Sequence, residues 1–381
     1  MTKKPKVLFV LPATVMGGAE IRLINMINAF GLIEPVLAGH RTLLTHISVN
    51  AEIHWLDDCG NCYDPYPYDW ANVRRYASAV AMMADRIQPD VTFGWMHNGS
   101  SFVAIAKLFH RMRGATAGCI LGPLTDHFAL NNRTATPYER LLFGFACRQL
   151  NRMIVPSNGV REDLIRNFFA PRSRVEAIYN GVDLKRVSRL AVDTPDHPIP
   201  KKQGPWILAA SRLSLEKGLD VMIRAYAGIR VTTGATLIIL GEGPQRQYLE
   251  NLTQQLGIAE QVWLPGYIKN PFPWLVKADV FTMASRLEGF GTALVEAMAL
   301  GIPVVSTACP AGPREILAEE GSGILVPVDD EQALGDALER VVLDPLLHAR
   351  LAEGARRRAT RFGFDAMLHG YEKLLCHLAS S

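Results

Sequence analysis

The chain alternates between short apolar runs and longer segments that have one apolar face. Apolar runs of strand type begin near residues 6, 90, 115, 153 and 174 in the first half, and near 206, 235, 262, 280, 302 and 323 in the second. Segments with the apolar spacing of helices separate most of them. Strands and helices that alternate in this way form parallel sheets covered by helices on both faces. The pattern therefore predicts an α/β fold with two doubly wound, Rossmann-like domains.

A segment of different composition interrupts this alternation at residues 188–205, which are rich in proline, aspartate and lysine and lack periodicity. Segments of this kind join domains. We predict an N-terminal domain over residues 1–187, a second domain over 188–362 and a last helix over 363–381. Two local features are less regular: residues 35–54 are strand-like but broken, and residues 96–99 are predicted as a loop after the strand that ends at Trp95.

Composition places the chain among globular proteins, with 381 residues, 49% hydrophobic and 20% charged. It contains no uncharged apolar run of 18 residues, so we expect no membrane-spanning helix. Lys3, Lys4 and Lys6 precede an apolar run as in a secretory signal, but Pro12 ends that run after five residues. A buried first strand explains it better, and we expect a cytoplasmic protein.

The cysteines also favour a reducing compartment. Six are scattered along the chain, which is too few for a disulfide framework. Cys59 and Cys62 form a lone C-x-x-C with only His54 close by in sequence. Because a zinc site needs a second ligand pair, we favour reduced thiols over zinc.

Charge is distributed unevenly although the net charge is only +3. Residues 1–190 carry 22 Lys and Arg against 15 Asp and Glu, whereas residues 191–381 carry 18 against 22. A basic first half indicates an anionic partner, such as the inner membrane surface or a lipid-diphosphate acceptor, rather than nucleic acid; a merely solvated surface is the alternative. Residues 138–151 form a basic helix that can either lie on a membrane or pack in the core with its arginines solvated, and the pattern favours the core.

Two glutamates in residues 285–305 mark the most informative stretch. Glu288 directly precedes Gly289-Phe-Gly291, where the backbone must turn, and Glu296 follows after seven intervening residues. Residues 292–300 are rich in the strong helix formers Ala, Leu, Glu and Met, and Gly301 and Pro303 follow as stop signals. We therefore place Glu288 on a loop and Glu296 about two turns into a helix.

This arrangement suits a nucleotide-sugar lying across a helix N-terminus. The N–H groups of Phe290 to Thr292 and the helix dipole favour a phosphate, while Gly289 and Gly291 allow a ligand to approach the backbone. One carboxylate can accept hydrogen bonds from a ribose diol and the other from sugar hydroxyls. The alternative for Glu296 is an ordinary solvated helix face.

The stretch resembles the E-x7-E motif of the retaining glycosyltransferases of family 4, which have the GT-B fold. Four more segments resemble motifs of the family in the expected order: Gly17-Gly18-Ala-Glu20, Asn180-Gly-Val-Asp183, Ser211-Arg-Leu-Ser-Leu-Glu-Lys-Gly218 and Cys309-Pro-Ala-Gly-Pro-Arg-Glu-Ile-Leu317. The resemblance spans most of the chain. It implies two Rossmann-like domains that face each other across a cleft, with the C-terminal helix crossing back to the first domain.

The resemblance also implies the roles of individual residues. Arg212 and Lys217 would grip the donor diphosphate, Glu288 the sugar hydroxyls and Glu296 the ribose. The remaining donor-site residues would be Gly289, Phe290, Gly291, Thr292, Gly241, Gly266 and Tyr267, and the acceptor and phosphate loop would contain Gly17 and Gly18. His97 and His127 both follow predicted strands, and either one can be the histidine that the family places near the donor sugar or a structural hydrogen-bonder.

The activity implied is transfer of a hexose-type sugar, with retention, from a nucleotide diphosphate sugar to a glycan or lipid-linked acceptor. The Gly-Pro-x-Glu turn that ends at Glu315 indicates a UDP-sugar. Because the sequence has no Asp-x-Asp, we expect no metal and no cofactor beyond this co-substrate. A nucleotide-sugar epimerase of the same fold and a non-catalytic binding or scaffold protein are the alternatives.

Overall fold

The computed structural model describes residues 3–59, 62–65, 69–110, 112–125, 137–195, 197–199 and 201–381. They divide into two compact units, Met1–Tyr179 with Met367–Ser381 and Asn180–Ala366. One parallel sheet with helices packed against it forms the core of each unit. The predicted α/β class with two Rossmann-like domains is therefore confirmed.

The first unit contains a sheet of seven parallel strands in the order β3-β2-β1-β4-β5-β6-β7. These strands are β1 (Lys6–Leu11), β2 (Glu34–Gly39), β3 (Glu52–Trp55), β4 (Val91–Gly94), β5 (Ala115–Cys119), β6 (Arg152–Val155) and β7 (Val175–Ala177). The helices are Gly18–Ala29, Arg41–Leu44, Trp70–Ile87, Met96–His110, Pro137–Gln149 and Asn158–Asn167, together with the final helix Phe364–Ala379. Val7 to Leu11 are completely buried, as the apolar first run predicts for a central strand.

The second unit repeats the arrangement with six parallel strands in the order β10-β9-β8-β11-β12-β13. Its strands are β8 (Trp206–Ala210), β9 (Thr236–Leu240), β10 (Val262–Gly266), β11 (Val280–Met283), β12 (Val304–Thr307) and β13 (Ile324–Val326). The helices are Leu184–Leu190, Leu219–Thr233, Arg246–Gln255, Phe272–Leu275, Thr292–Ala299, Pro313–Ile316, Glu331–Leu343 and Pro345–Ala359.

Both sheets reverse their winding at one place. The chain leaves β1 toward β2 and β3 and then returns to β4 on the other side of β1, and it leaves β8 toward β9 and β10 before it returns to β11. The loops after the two strands on either side of such a reversal diverge and leave a crevice at the carboxyl edge of the sheet. Ligands of open α/β sheets bind in that crevice.

The division between the units differs from the predicted boundaries after residues 187 and 362. The N–H of Val182 donates to the carbonyl of Phe362, and the N–H of Phe364 donates to the carbonyl of Val182. These bonds tie the segment that begins at Asn180 to the second unit.

The final helix belongs to the first unit from Met367 onward. The Glu372 carboxylate accepts hydrogen bonds from the N–H groups of Gly31 and Leu32, at 2.6 and 2.7 Å. Tyr371, which is buried, packs against Phe93 of β4.

Residues 35–54, predicted as strand-like but broken, contain most of strands β2 and β3, which a short helix separates. The Asp57 carboxylate accepts from the N–H of Arg41 and holds that helical turn. The prediction of a loop at residues 96–99 is wrong, because these residues are the first turn of a helix. Met96, with φ of +61°, lies where the chain passes from β4 into this helix, and its N–H donates to the sulfur of Cys119 at 3.2 Å.

The helix Pro137–Gln149 packs as the favoured alternative predicts. Leu142 and Phe143 are buried, whereas Leu141 is 73% exposed beside the exposed residues Arg140 and Arg148. Its main apolar face therefore lies in the core of the unit. Among the described residues, no helix combines the length and the apolar composition needed to cross a bilayer.

Candidate functional site

The predicted diphosphate loop and the predicted sugar loop meet at the reversal point of the second sheet. β8 pairs with β11 through Ile207 opposite Val280 and Leu208 opposite Phe281. The chain continues from β8 into residues 211–218 and from β11 into residues 284–291. Because both strands point the same way, the two loops emerge side by side at the carboxyl edge.

A lysine and a glutamate pair across these loops. The Nζ of Lys217 donates to the Oε1 of Glu288 at 2.7 Å, and the hydroxyl of Ser285 donates to the same oxygen at 2.7 Å. The side chains are 21% and 11% exposed, so the pair is largely shielded from water. Both hydrogen bonds end on Oε1, so Oε2 can accept from a ligand hydroxyl.

Ser285 is itself held rigidly. It is completely buried, and its carbonyl accepts a hydrogen bond of 2.6 Å from the hydroxyl of Thr307 at the end of β12. The backbone that carries Glu288 is thus fixed by the neighbouring strand as well as by its own.

Arg212 is anchored within its own loop. Its Nη2 donates to the Oε1 of Glu216 at 2.7 Å and its Nε to the hydroxyl of Ser214 at 3.3 Å, while the side chain is 70% exposed. Burial raises the pKa of Glu216, but the hydrogen bonds from Ser214 and Arg212 outweigh burial and hold this pKa below its ordinary value. Glu216 is therefore ionised at neutral pH and keeps a guanidinium group at the mouth of the loop.

Two glycines set how closely the loops approach. Gly218 has φ of +59°, and a Cβ there would lie 2.1 Å from the carbonyl oxygen of Ala284. Gly312, in the turn after β12, has φ of +83°, and its Cβ would lie 1.9 Å from the carbonyl oxygen of Phe290. Only glycine fits such contacts at positive φ. These two glycines therefore allow the close approach of the backbone segments that carry the candidate site, Gly218 to Ala284 and Gly312 to Phe290.

We predict that Gly218→Ala destabilises the second unit far more than Gly234→Ala does. Gly234 has nearly the same φ, +58°, but nothing lies within 4 Å of its Cβ position. Left-handed strain alone costs alanine about 1–2 kcal/mol, whereas the added clash at Gly218 should bring the loss to about 3 kcal/mol or more. Thermal unfolding of both variants measures the difference. Equal shifts of the midpoint would contradict the tight contact with Ala284.

Glu296 lies on the helix Thr292–Ala299, which begins where the sequence predicts. It is four residues from Thr292, so it stands just over one turn into the helix rather than two, and both side chains are half-buried on the same face. Gly291 is the N-cap, with φ of +100° and no side-chain cap. Gly289 is half-buried beside Glu288.

Phe290 is predicted to face the donor through its backbone N–H, and its side chain has a different place. Its ring is buried and packs edge-on against Phe362, with centroids 5.5 Å apart. Only its backbone is therefore available to a ligand, and the ring anchors the glycine loop in the core.

The other predicted donor residues lie along the same edge of the sheet. Gly241, directly after β9, has φ of +139°, and its Cβ would lie 1.9 Å from the carbonyl oxygen of Ser211. Gly266 ends β10, and its carbonyl accepts from the N–H of Gly241 at 2.8 Å. Tyr267 follows and is 69% exposed. The carboxyl ends of β10, β9 and β8 therefore lie side by side, and the loop of Arg212 follows β8.

In the first unit, the structure brings Gly17, Gly18 and His97 to the reversal point between β1 and β4. The N–H of Gly17 donates to the buried Glu20 carboxylate at 2.9 Å, and the indole N–H of Trp95 donates to the carbonyl of Ala19 at 3.2 Å. These bonds hold the glycine loop against the end of β4.

His97 lies in the first turn of the helix Met96–His110, where its ring stands edge-on to Phe143 at 5.9 Å between centroids. His127 lies outside the described residues. The choice between the two histidines stays a prediction. The six cysteines are free thiols, and within the described ranges no three potential metal ligands gather at one point.

Sequence reasoning missed one residue that the geometry makes prominent. Arg286 stands two residues before Glu288, and its guanidinium forms two hydrogen bonds with the Asp220 carboxylate, at 2.9 and 2.8 Å. The sequence contained a signal, because a charged residue next to the buried segment that ends at Ser285 needs a partner. Without the fold, that partner could not be identified.

Two family models match the chain. "Glycosyltransferase Family 4" matches residues 39–186, and "Glycosyl transferases group 1" matches residues 194–358. The first match lies almost entirely in the first unit and the second lies in the second unit.

Two curated relatives are glycosyltransferases by name. The chain is 35% identical over 211 residues to the N-acetylgalactosamine-N,N'-diacetylbacillosaminyl-diphospho-undecaprenol 4-alpha-N-acetylgalactosaminyltransferase of Campylobacter jejuni, covering 55% of this chain and 56% of that protein. It is 28% identical over 298 residues to the lipopolysaccharide core biosynthesis glycosyltransferase LpsE of Rhizobium meliloti, covering 78% of each. The chain thus spans only about half the length of the first relative.

Solved structures share the fold. HepE of Anabaena, determined in complex with UDP, matches with a TM-score of 0.75 at 21% identity and covers 97% of this chain and 99% of its own. At that identity the likeness concerns the fold. Together with the two family matches and the double Rossmann architecture, it shows that the chain belongs to the glycosyltransferases of family 4 type with the GT-B fold.

Proposed function

We propose that this protein is a retaining, metal-independent glycosyltransferase that moves a hexose-type sugar from a UDP-sugar to a glycan or lipid-linked acceptor. The observation that carries the proposal is the 2.7 Å pairing of Lys217 with Glu288 at the reversal point of the second sheet. A cation suited to phosphate and a carboxylate suited to hydroxyls stand together where doubly wound sheets bind ligands. In a nucleotide diphosphate sugar, the phosphates and the sugar hydroxyls are also close to each other.

The reaction must stabilise a departing diphosphate. We assign this task to Arg212 and Lys217, assisted by the N-terminus of the helix Thr292–Ala299. Glu288 holds sugar hydroxyls through Oε2, and Glu296 accepts from the ribose. Gly17 and Gly18 are assigned to the acceptor and phosphate loop. Fixed cations and oriented N–H groups can neutralise developing charge without a metal.

Retention follows if the acceptor attacks on the face from which the diphosphate leaves. The bond between the anomeric carbon and the diphosphate oxygen breaks, and a bond from that carbon to the acceptor oxygen forms. The acceptor hydroxyl proton passes to the departing diphosphate on the same face. The products are the glycosylated acceptor and the nucleoside diphosphate.

The names of the relatives support an acceptor in polysaccharide or glycoconjugate synthesis. One acts on an undecaprenol-linked diphosphate sugar and another in lipopolysaccharide core biosynthesis. A lipid-linked acceptor lies at a membrane, and the basic first half of this chain, with Arg140 and Arg148 exposed, suits an anionic surface. We therefore propose a peripheral enzyme at the cytoplasmic face of the inner membrane.

A thermal-shift panel with UDP, GDP and ADP, followed by their sugar conjugates, tests the proposal. A ligand at about 100 times its Kd adds roughly 2.7 kcal/mol to the folded state, which moves the unfolding midpoint by a few degrees. We expect a selective shift with UDP that persists in EDTA and is weaker in Glu296→Ala. The absence of a shift with every nucleotide at millimolar concentration would favour a scaffold protein.

The product distinguishes transfer from epimerisation. Incubation of the preferred nucleotide-sugar with a lipid-linked acceptor should release the free nucleoside diphosphate in step with glycosylated acceptor. A new nucleotide-sugar isomer without released diphosphate would instead identify an epimerase.

A further inference from the structure

Arg286 connects the loop that carries Lys217 with the loop that carries Glu288. Its backbone N–H donates to the carbonyl of Glu216 at 2.8 Å, and its Nη1 donates to the carbonyl of Leu215 at 2.9 Å. Leu215–Lys217 is the short 3-10 turn from which the Lys217 side chain emerges. Arg286 therefore fixes the backbone directly before Lys217. It also lies two residues before Glu288, so the same contacts fix the backbone that carries Glu288.

The guanidinium group is fixed at the same time from two other directions. Nη1 and Nη2 bind the two oxygens of Asp220 at 2.9 and 2.8 Å, and Nε binds Asp329 at 2.6 Å. Arg286 is 18% exposed, and a shielded fork of this kind is rigid because two parallel bonds define its plane. Asp220 lies in the first turn of the helix Leu219–Thr233, so the fork also fixes where that helix begins.

We propose that Arg286 is a positioning residue for sugar transfer, which sets the spacing and direction of Lys217 relative to Glu288. The inference rests on the proposed function. Its physical basis is that Lys217 and Glu288 must face two neighbouring groups of one donor, the diphosphate and the sugar. A displacement of about 1 Å in such groups can cost about 100-fold in rate.

A purely structural salt bridge is the competing explanation, because removing one partner of a shielded pair destabilises a fold. The two explanations differ in what else changes. A structural bridge affects the unfolding midpoint and leaves the chemistry of the folded fraction intact. A positioning residue changes kcat in protein that is fully folded.

The experiment compares Arg286→Ala and Arg286→Lys with the wild type, well below their unfolding midpoints. We expect Arg286→Ala to lower kcat by about 30- to 100-fold, with KM for the donor and affinity for the nucleoside diphosphate changed by less than about threefold. Arg286→Lys should recover only part of kcat, because an ammonium group cannot span both Asp220 oxygens and the Leu215 carbonyl together.

Asp329→Asn is the matched control. Asp329 is 54% exposed, has φ of +59°, which asparagine tolerates, and binds the guanidinium through Nε, which takes no part in the Asp220 fork. Because the Asp329 carboxylate is mostly exposed to water and the Asp220 fork remains in place, this variant should keep kcat within about fivefold.

A double-mutant comparison separates the explanations. If Arg286 acts through Glu288, Arg286→Ala should lower kcat much less in a Glu288→Gln background than in the wild type. An equal factor in both backgrounds, or a wild-type kcat in folded Arg286→Ala, would overturn the inference while leaving the transferase intact. A wild-type chain that binds no nucleotide and transfers no sugar would instead refute the proposed function itself, and the inference with it.

Discussion

Glu288→Ala should abolish transfer almost completely while leaving nucleotide affinity nearly unchanged. The carboxylate is placed for sugar hydroxyls, and its loss removes a contact that we expect to strengthen in the transition state. Loss of one such electrostatic contact lowers kcat by about 100- to 1,000-fold. The nucleoside diphosphate should still bind, because Lys217, once released from its 2.7 Å pairing, remains free to contact phosphate. Steady-state kinetics and calorimetric titration with UDP measure the two quantities separately.

Glu288→Gln is the control for geometry. Its amide oxygen can still accept from both Lys217 and Ser285, so the loop stays in place while the negative charge is lost. We expect a rate between those of the wild type and the alanine variant. If UDP affinity fell in Glu288→Ala by the same factor as kcat/KM, Glu288 would be a nucleotide-binding residue and its assignment to the sugar would be wrong.

Much of the second unit could be predicted from sequence because local signals and tertiary demands agree there. Gly301 and Pro303 end the helix that begins at Thr292, and the apolar runs near residues 206 and 280 are the two strands that adjoin at the reversal point. The prediction that Glu288 and the Arg212 loop serve one ligand came from the family resemblance, and the order of the strands in the sheet explains it. Their arrangement side by side then follows from the parallel sheet.

The errors lie where a tertiary contact decides the local conformation. No propensity predicts that Met96 adopts φ of +61°; the nearby sulfur of Cys119 and the packing of β4 stabilise that turn. The packing of the Phe290 ring against Phe362 also depends on a residue that is distant in sequence. The Arg286 fork depends on Asp220 in the same way, since both residues appear in sequence only as isolated charges.

The two anchored cations differ in a way that bears on mechanism. Lys217 is shielded and paired with the carboxylate assigned to the sugar, whereas Arg212 is mostly exposed and paired with Glu216 of its own loop. Diphosphate binding can therefore recruit Arg212 without breaking a contact that orients Glu288. We infer that Arg212 responds to the leaving group alone and that Lys217 links the leaving group to the sugar.

Arg212→Ala should consequently cost about 2–4 kcal/mol of transition-state stabilisation, which corresponds to a loss in kcat/KM of about 30- to 1,000-fold. The unfolding midpoint should barely move, because the side chain is mostly exposed and its pairing contributes little to stability. Glu216→Gln is the matched variant, since it keeps the shape of the anchor but removes its charge. It should lose less activity than Arg212→Ala, because the guanidinium remains present but less firmly oriented. Unchanged turnover in Arg212→Ala would refute the assignment of this loop to the diphosphate, whatever nucleotide the protein binds.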